Sequence, residues 1–335
     1  INLCIVAILW IGGNRVGAGF MEIGDITAVT EYAILILYYL IMAQMVIILL
    51  PRAGICIERI KEVLTSEPEI HDGKRKIVTA NKDNPDIISF KNMTFRFADA
   101  DEDTLYNLKF TCKRGQTTAI IGSTGSGKST IAKLIMRFHD ATRGSILLNG
   151  QDIRNISQKD LRDHIAYVPQ QAWLFSGTIA DNLRYGNEDA TEGEMYHALE
   201  VAQASFVENL EDGLNAKVAQ GGTNFSGGQK QRLSIARALV KKADIYIFDD
   251  SFSALDFKTD AALRKALAKE TKDSAVLIIA QRINTILNAD QIIVLDNGKV
   301  VGMGTHKELM ESCTVYQEIA KSQLKGDVEN VKEKK

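Results

Sequence analysis

The chain has 335 residues, of which 45% are hydrophobic and 24% are charged, the balance of a folded protein with one large domain or two ordinary ones. Its net charge of -2 argues against a nucleic-acid partner, because such domains usually carry a strong basic field. The cysteines form no CxxC pair and no metal-ligand spacing with histidine, so we expect reduced thiols in a cytosolic compartment. They are Cys4, Cys56, Cys112 and Cys313.

The segment Tyr32–Leu50, YAILILYYLIMAQMVIILL, carries no charged residue. Its length is close to the roughly 20 residues that cross a ~30 Å hydrocarbon core at ~1.5 Å per residue. This predicts a transmembrane helix, which we place at about residues 26–55. A buried core helix is the alternative, although core helices rarely stay free of charge over such a length.

The first residues, INLCIVAILWIGG, are also apolar but are too short to span a membrane alone. They lack an initiator Met and the basic start of a signal peptide, so we interpret residues 1–13 as the end of a helix that begins earlier. Residues 14–25 predict a polar turn. The basic residues after the long segment place its second end in the cytoplasm by the positive-inside rule; they are Arg52, Arg59 and Lys61. Residues 1–65 are thus predicted to end a transmembrane domain.

A polar linker and a second domain are predicted to follow. Residues 66–85 are rich in turn-forming types and contain Pro near both ends, which is typical of a linker. The second domain covers residues 86–323. A charged tail, residues 324–335, is expected to be disordered.

Strand and helix patterns alternate along the second domain. MTFRF alternates apolar and polar residues, which predicts a strand through Phe97. TTAIIG predicts another strand. A helix is then predicted from Lys128, with one apolar face formed by Ile131, Leu134, Ile135 and Phe138. Further strands are SILLN, IAYVP, IYIF, AVLIIA and QIIVL, with helical patterns at about 177–212 and after Gly228. The alternation predicts an α/β domain around a mostly parallel sheet.

A phosphate-binding loop lies between the strand TTAII and its helix. GSTGSGKST fits the pattern G-x-x-x-x-G-K-[ST], in which glycines let backbone N–H groups surround a phosphate at a helix N-terminus. The lysine reaches the outer phosphates, and the hydroxyl after it is a ligand of Mg²⁺. The sequence predicts ATP and Mg²⁺ binding by Gly122, Ser123, Thr124, Gly125, Ser126, Gly127, Lys128, Ser129 and Thr130.

The strand IYIF ends on two adjacent aspartates. P-loop proteins place a second apolar strand beside the first and end it in an acid that holds Mg²⁺, a role that Asp249 fits. Capping of the next helix is the alternative, and it suits Asp256 better than Asp249.

NFSGGQKQRLSIARAL precedes these aspartates, and here the chain resembles the ATP-binding cassette (ABC) exporters over nearly its whole length. The resemblance implies a RecA-like core with a helical subdomain, fused to membrane helices. It also implies roles for a signature, a D-loop aspartate, a Q-loop glutamine that binds Mg²⁺ and senses the membrane domain, and a ring stacked on adenine. The signature is Ser226, Gly227, Gly228 and Gln229, the D-loop aspartate is Asp256, and the Q-loop glutamine is Gln170. The stacked ring is that of Phe97, for which strand alternation is an equal explanation.

The signature has a physical interpretation of its own. Ser226 and the two glycines after it open a helix, so their N–H groups form an anion site. The chain's own P-loop already supplies one such site. The second is therefore expected to serve another phosphate, and the resemblance implies that this phosphate lies on the P-loop of a partner domain that faces this one head to tail.

Two positions depart from the family pattern. Active members carry Glu where this chain has Asp250, and a carboxylate displaced by ~1 Å can cost ~10²-fold in rate. They carry His where this chain has Gln281. Together the changes resemble the degenerate subunit of a heterodimeric bacterial multidrug-type exporter, with Asp249 on the metal and Asp250 a weak base.

The sequence therefore predicts a multi-pass inner-membrane exporter subunit with a cytoplasmic ATPase domain, a related second subunit, an unknown small-molecule or lipid-like substrate and no nucleic-acid partner. Four alternatives stay open. They are a slow homodimeric exporter, a soluble cassette ATPase that acts on DNA or ribosomes, an importer ATPase, and a nucleotide-binding regulatory subunit.

Overall fold

The computed structural model describes residues 2–77 and 85–332. The chain divides into two compact units, Ile1–Glu69 and Ile70–Lys335. Part of the predicted linker, residues 78–84, lies outside the described residues, as do residues 333–335 of the predicted tail.

The first unit consists of two helices, α1 (Asn2–Gly17) and α2 (Ile23–Leu64). The predicted turn at residues 14–25 is too long, because both helices extend into it. Gly19 ends the first helix with a left-handed φ of 78°, and a capping box between Glu22 and Asp25 starts the second.

Helix α2 is longer than predicted at both ends. Its 42 residues span about 63 Å at ~1.5 Å per residue, about twice a ~30 Å hydrocarbon core. Its most apolar window has a mean hydropathy of 2.6, and the structure buries none of that window. Among the described residues, this is the one helix long and apolar enough to cross a membrane.

The second unit contains a six-stranded sheet and a four-stranded sheet. The larger sheet has the order β12-β11-β3-β10-β9-β6, with β12 antiparallel and the others parallel. The smaller one is antiparallel, with the order β2-β1-β4-β5, and β7 pairs with β8. The strands are β1 (Asp86–Phe95), β2 (Leu105–Lys113), β3 (Thr117–Gly122), β4 (Arg143–Leu148), β5 (Gln151–Asp152), β6 (Ile165–Val168), β7 (Gly177–Thr178), β8 (Lys217–Val218), β9 (Ile245–Asp249), β10 (Ala275–Ile279), β11 (Gln291–Asp296) and β12 (Lys299–Gly304).

Eight α-helices are described in the second unit. They are α3 (Lys128–Ile135), α4 (Gln158–Asp163), α5 (Ile179–Arg184), α6 (Glu192–Val201), α7 (Gly227–Val240), α8 (Phe257–Glu270), α9 (His306–Ser312) and α10 (Thr314–Lys332). The predicted α/β alternation and mostly parallel sheet are present. The antiparallel sheet was not predicted.

The parallel sheet has an apolar layer on each face. Along β9, Tyr246 and Phe248 pack into one hydrophobic cluster, while Ile245 and Ile247 pack into the other. A strand covered on both faces reads as a continuous apolar run, which is why IYIF shows no polar alternation. The parallel order also brings the carboxyl ends of β3, β9 and β10 to one edge of the sheet.

Two aromatic residues lie outside the elements predicted for them. Strand β1 ends at Phe95, so Phe97 follows the strand; Asn92 has a left-handed φ of 48°, and the shifted register also buries Thr94. Helix α3 ends at Ile135, and Phe138 beyond it is 46% exposed. Arg137, with φ 53°, turns the chain between them.

Helix α10 continues through residues 324–332 of the predicted charged tail. Tyr316 and Ala320 are fully buried at the start of this helix. Once a helix is nucleated in this way, each further residue adds a backbone hydrogen bond at little cost.

Residues 70–77 of the predicted linker belong to the second unit and pack on its surface. The N–H of Arg75 donates to the Asn155 carbonyl at 3.0 Å, and the N–H of Gln158 donates to Asp72 Oδ1 at 2.6 Å. Gly73 is so close to this surface that a Cβ there would lie 2.3 Å from the Ile156 carbonyl oxygen. Residues 70–77 are thus a packed segment rather than a free linker.

Candidate nucleotide-binding site

The loop between β3 and α3 has the backbone that its glycines predict. Gly125 and Gly127 have φ values of 83° and 93°, a left-handed region that is costly for other residues. A Cβ on Gly127 would also lie 2.6 Å from the Leu105 side chain. This conformation turns the chain sharply from the strand into the N-terminus of α3, where unpaired N–H groups favour an anion.

Lys128 and Ser126 face the interior of this loop region. Lys128 Nζ donates to the carbonyl oxygens of Gly122 and Ser123 at 2.8 and 2.7 Å. Burial lowers the pKa of Lys128, and the charges of Asp250 and Asp249 partly oppose this shift. Ser126 Oγ is buried and has no hydrogen-bond partner among the described residues. A cation, helical N–H groups and a spare hydroxyl fit a phosphate chain.

Asp249 is 5% exposed at the end of β9. Its Oδ1 accepts a hydrogen bond from Ser129 Oγ at 3.0 Å, and its Oδ2 accepts one from Tyr167 at 3.3 Å. Burial raises the pKa of Asp249, and these two hydrogen bonds oppose the shift. A carboxylate beside a hydroxyl is a set of oxygen donors that suits Mg²⁺, which takes few protein ligands and completes its shell with phosphate and water.

Asp250 contacts different partners from its neighbour. Its Oδ2 accepts from Gln170 Nε2 at 3.2 Å, and its carboxylate also accepts from the backbone N–H of Gln281. Burial raises its pKa, against these hydrogen bonds. Its φ of 47° turns the chain out of the strand, and its N–H donates to the Ile279 carbonyl at 2.8 Å. The two adjacent carboxylates therefore have separate surroundings.

Most of the predicted ATP-binding residues lie around one cavity of about 280 Å³. The P-loop, Gln170 and Gln281 share it, although they are far apart in the chain. Phe97 does not line this cavity; its ring contacts Phe95 and His139, with centroids 4.7 and 5.3 Å away. The lining residues are Thr104, Thr124, Gly125, Gly127, Lys128, Ser129, Thr130, Gln170 and Gln281.

Sequence reasoning missed Thr104 and Tyr167. Thr104 precedes β2, in an antiparallel sheet that was not predicted. Tyr167 lies on β6, three residues before Gln170. Its proximity to Gln170, a predicted site residue, is the one signal that could have identified it.

The signature residues lie at the start of α7. Ser226 Oγ accepts from the N–H of Gln229 at 3.3 Å, and Gln229 Oε1 accepts from the N–H of Ser226 at 2.8 Å. A Cβ on Gly227 would meet nothing within 4 Å, so this helix start is open to a neighbour. None of Ser226, Gly227, Gly228 and Gln229 lines the P-loop cavity.

Asp256 is the N-cap of α8. Its Oδ1 accepts from the N–H of Thr259 at 3.0 Å, and this backbone hydrogen bond is the main cause of its lowered pKa. The helix-cap interpretation therefore holds for Asp256 and not for Asp249, which lies inside the strand end.

A parallel sheet with this loop at the carboxyl end of a central strand defines a P-loop nucleotide-binding domain. Residues 105–253 match the family model described as "ABC transporter".

The similarity to ABC proteins extends beyond these residues. An uncharacterized ABC transporter ATP-binding protein of Mycobacterium bovis is 45% identical, over 96% of this chain and 56% of that protein. An ATP-dependent lipid A-core flippase of Photobacterium profundum is 40% identical, over 79% of this chain and 45% of that protein. The structure of a bacterial Atm1-family ABC exporter with ATP bound superposes with a TM-score of 0.82 at 32% identity, covering 96% of this chain and 56% of the other. The chain spans about half the length of the proteins that it matches.

Proposed function

We propose that this chain is the ATP-binding part of an ABC exporter subunit, which couples ATP binding and hydrolysis to export across a membrane. The observation that carries this proposal is the combination, in one chain, of the apolar helix Ile23–Leu64 with a cavity lined by Lys128 and Ser129. The similarity to an exporter structure over 96% of the chain supports it. That similarity, together with the helix, disfavours an importer ATPase and a soluble cassette ATPase.

The residues of the loop divide the work of binding. Backbone N–H groups at the start of α3 hold the phosphate chain, and Lys128 provides the cation for its outer end. Ser129 and Asp249 would hold Mg²⁺ through their side-chain oxygens, and Gln170, which lines the same cavity as Ser129, would add a third oxygen ligand. When bound, Mg²⁺ neutralises charge on the β- and γ-phosphates. Tyr167 orients the Asp249 carboxylate, and Phe97 would stack on the base.

The chain is proposed to work in a heterodimer in which its own site is degenerate. Asp250 occupies the position of the general base but is one methylene shorter than Glu. Gln281 offers a neutral amide where a histidine could carry a charge. Ser226 and Gly227 lie outside the chain's own cavity, which supports a role at the partner's P-loop. Fast hydrolysis would then occur at the site that combines the partner's P-loop with this signature.

The proposed location is the cell inner membrane, where the subunit is multi-pass and its ATPase domain is cytoplasmic. The proposed cargo is a small molecule or a lipid-like one. The relative named as a lipid A-core flippase, 40% identical over 268 residues, supports an amphipathic cargo. The net charge of -2 argues against a nucleic-acid partner.

ATP turnover tests the proposal, with the full-length natural subunit reconstituted in liposomes. The comparison is this subunit alone against a mixture with a second ABC subunit that carries Glu and His at the positions of Asp250 and Gln281. Fast turnover by the mixture alone is the expected result. Equal turnover by this subunit alone would indicate a homodimer, and ATP binding without turnover in either sample would indicate a regulatory subunit.

A further inference from the structure

We propose that Gln323, on the C-terminal helix α10, is a positioning residue that holds the loop bearing Gln281 in the ATP cavity. Through this contact, α10 sets the preference of the site for ATP over ADP. The inference rests on the proposed function, because it assumes that Gln281 faces the γ-phosphate of bound ATP.

Both polar atoms of the Gln323 side-chain amide form hydrogen bonds with the loop that bears Gln281. Its Oε1 accepts a hydrogen bond from the N–H of Ile283 at 2.8 Å, and its Nε2 donates to the carbonyl of Gln281 at 2.7 Å. These backbone groups lie on either side of Arg282. A planar amide that binds both of them limits the rotation of the two peptide groups that flank Arg282.

The same loop is held from the opposite side by the end of β9. The N–H of Gln281 donates to the Asp250 carboxylate, which also accepts from Gln170 at 3.2 Å. Gln281 therefore has its N–H bound to the Asp250 side and its carbonyl bound to α10. A change on either side moves the residue that lines the cavity beside Lys128.

Helix α10 is anchored firmly enough to serve as this support. Tyr316 and Ala320 are fully buried, and the Tyr316 hydroxyl lies 2.8 Å from Nδ1 of His306. Positions 316, 320 and 323 share one face of a helix, so Gln323 continues the packed face. An amide at this position satisfies two backbone groups that an apolar side chain would leave unbonded.

The effect of the contact should depend on the γ-phosphate. ADP has no γ-phosphate and so does not meet the group at the Gln281 position, whereas ATP does. Loss of the two hydrogen bonds from Gln323 should therefore weaken ATP binding and leave ADP binding unchanged. A fall of about 3- to 10-fold in the ATP-over-ADP affinity ratio is expected, which corresponds to about 0.6–1.4 kcal/mol, the net contribution of about one hydrogen bond.

Gln323→Met tests this in the full-length subunit, because Met keeps the length of the side chain and removes both hydrogen bonds. Gln317→Met is the matched control: Gln317 lies on the same helix and donates to the Met310 carbonyl at 2.8 Å, away from the loop. Dissociation constants for Mg·ATP and Mg·ADP are measured by displacement of a fluorescent nucleotide. We expect the ratio to fall in Gln323→Met only, with faster hydrogen–deuterium exchange of residues 281–286 in the nucleotide-free protein.

An unchanged ratio in Gln323→Met, or an equal fall in Gln317→Met, would overturn the inference and leave the proposed function intact. Absence of binding of either nucleotide by the wild type would instead overturn the proposed function. Gln323→Glu is the second variant if the first does not fold. It keeps the acceptor for Ile283 but places a carboxylate oxygen against the Gln281 carbonyl in place of the donor. Its ratio should therefore fall at least as far as that expected for Gln323→Met, and an unchanged ratio would overturn the inference.

Discussion

Ser129 Oγ donates a 3.0 Å hydrogen bond to Asp249 Oδ1, although 120 residues separate them in the chain. The contact follows from the parallel sheet. Strand β10 lies between β3 and β9, so the loop after β3 and the end of β9 meet at the same edge. A hydroxyl and a carboxylate at this distance offer two oxygen ligands for one Mg²⁺.

We expect Ser129→Ala and Asp249→Asn to weaken the Mg²⁺ dependence of ATP binding. Ser129→Ala removes an oxygen ligand, and Asp249→Asn replaces a charged carboxylate oxygen by a neutral amide, so the Mg²⁺ concentration needed for half-maximal ATP binding should rise about 10- to 100-fold. A titration of ATP binding against Mg²⁺ measures this. Tyr167→Phe is the control, because it removes a 3.3 Å hydrogen bond to Asp249 and no ligand, so its shift should be smaller. Identical titrations for Ser129→Ala and wild type would contradict the metal assignment.

Lys128→Ala should weaken ATP binding by about 10- to 100-fold, since a hydrogen bond to a charged group contributes about 1.5–3 kcal/mol. Fluorescent-nucleotide titration compares the variant with wild type. Lys133→Ala is the control, because Lys133 lies on the same helix, is exposed and does not line the cavity. Equal affinities of Lys128→Ala and wild type would remove the basis for the P-loop assignment.

The sequence predicted those parts of the site that depend on local patterns. The P-loop and Asp249 follow from a motif and from an apolar strand with an acid at its end. Tyr167 and Gln323 could not be found in this way, because their contacts join elements that are distant in the chain and leave no periodic signal.

The errors arose where a pattern continued past the end of an element. Phe97 keeps the alternation of β1 after the strand has ended, and Phe138 keeps the spacing of α3 after the helix has ended. Arg137, with a left-handed φ of 53°, interrupts the helix before Phe138, and arginine does not indicate such a backbone in the sequence; Asn92, by contrast, lies inside β1, which continues to Phe95. The roles predicted for Phe97, Gln170 and Gln281 stay predictions.

Cysteine labelling should show that α2 crosses the membrane with its Arg52 end inside. Gly19 lies between α1 and α2, and Ser66 lies just after the end of α2. Single cysteines at these positions should therefore be accessible to a polar reagent. In a background without the four native cysteines, position 19 should be labelled from outside only and position 66 from inside only. A cysteine at Met42, near the middle of the apolar segment, is the control and should react poorly from both sides. Labelling of positions 19 and 66 from the same side would refute the topology.

Ser226→Arg should nearly abolish ATP turnover by the proposed heterodimer. The N–H groups at the start of α7 serve the partner's competent site in this proposal, and a long cation at Ser226 would occupy the open helix start and remove its cap. Turnover by the reconstituted pair is the measurement. Unchanged turnover would mean that the signature serves no active site.

Asp250→Asn, by contrast, should change turnover by the pair only modestly. Asp250 belongs to the chain's own site, where its short side chain accepts hydrogen bonds from Gln170 and from the N–H of Gln281. The matching Glu→Gln change in the partner should lower turnover ~10² to 10⁴-fold, the usual effect of losing a general base. A homodimer predicts the opposite, because both of its sites would contain Asp250, and Asp250→Asn would then remove whatever turnover the subunit shows alone. Turnover by the pair that carries Asp250→Asn decides between them: a fall to background would make Asp250 a working base, and the degenerate-site assignment would have to be abandoned.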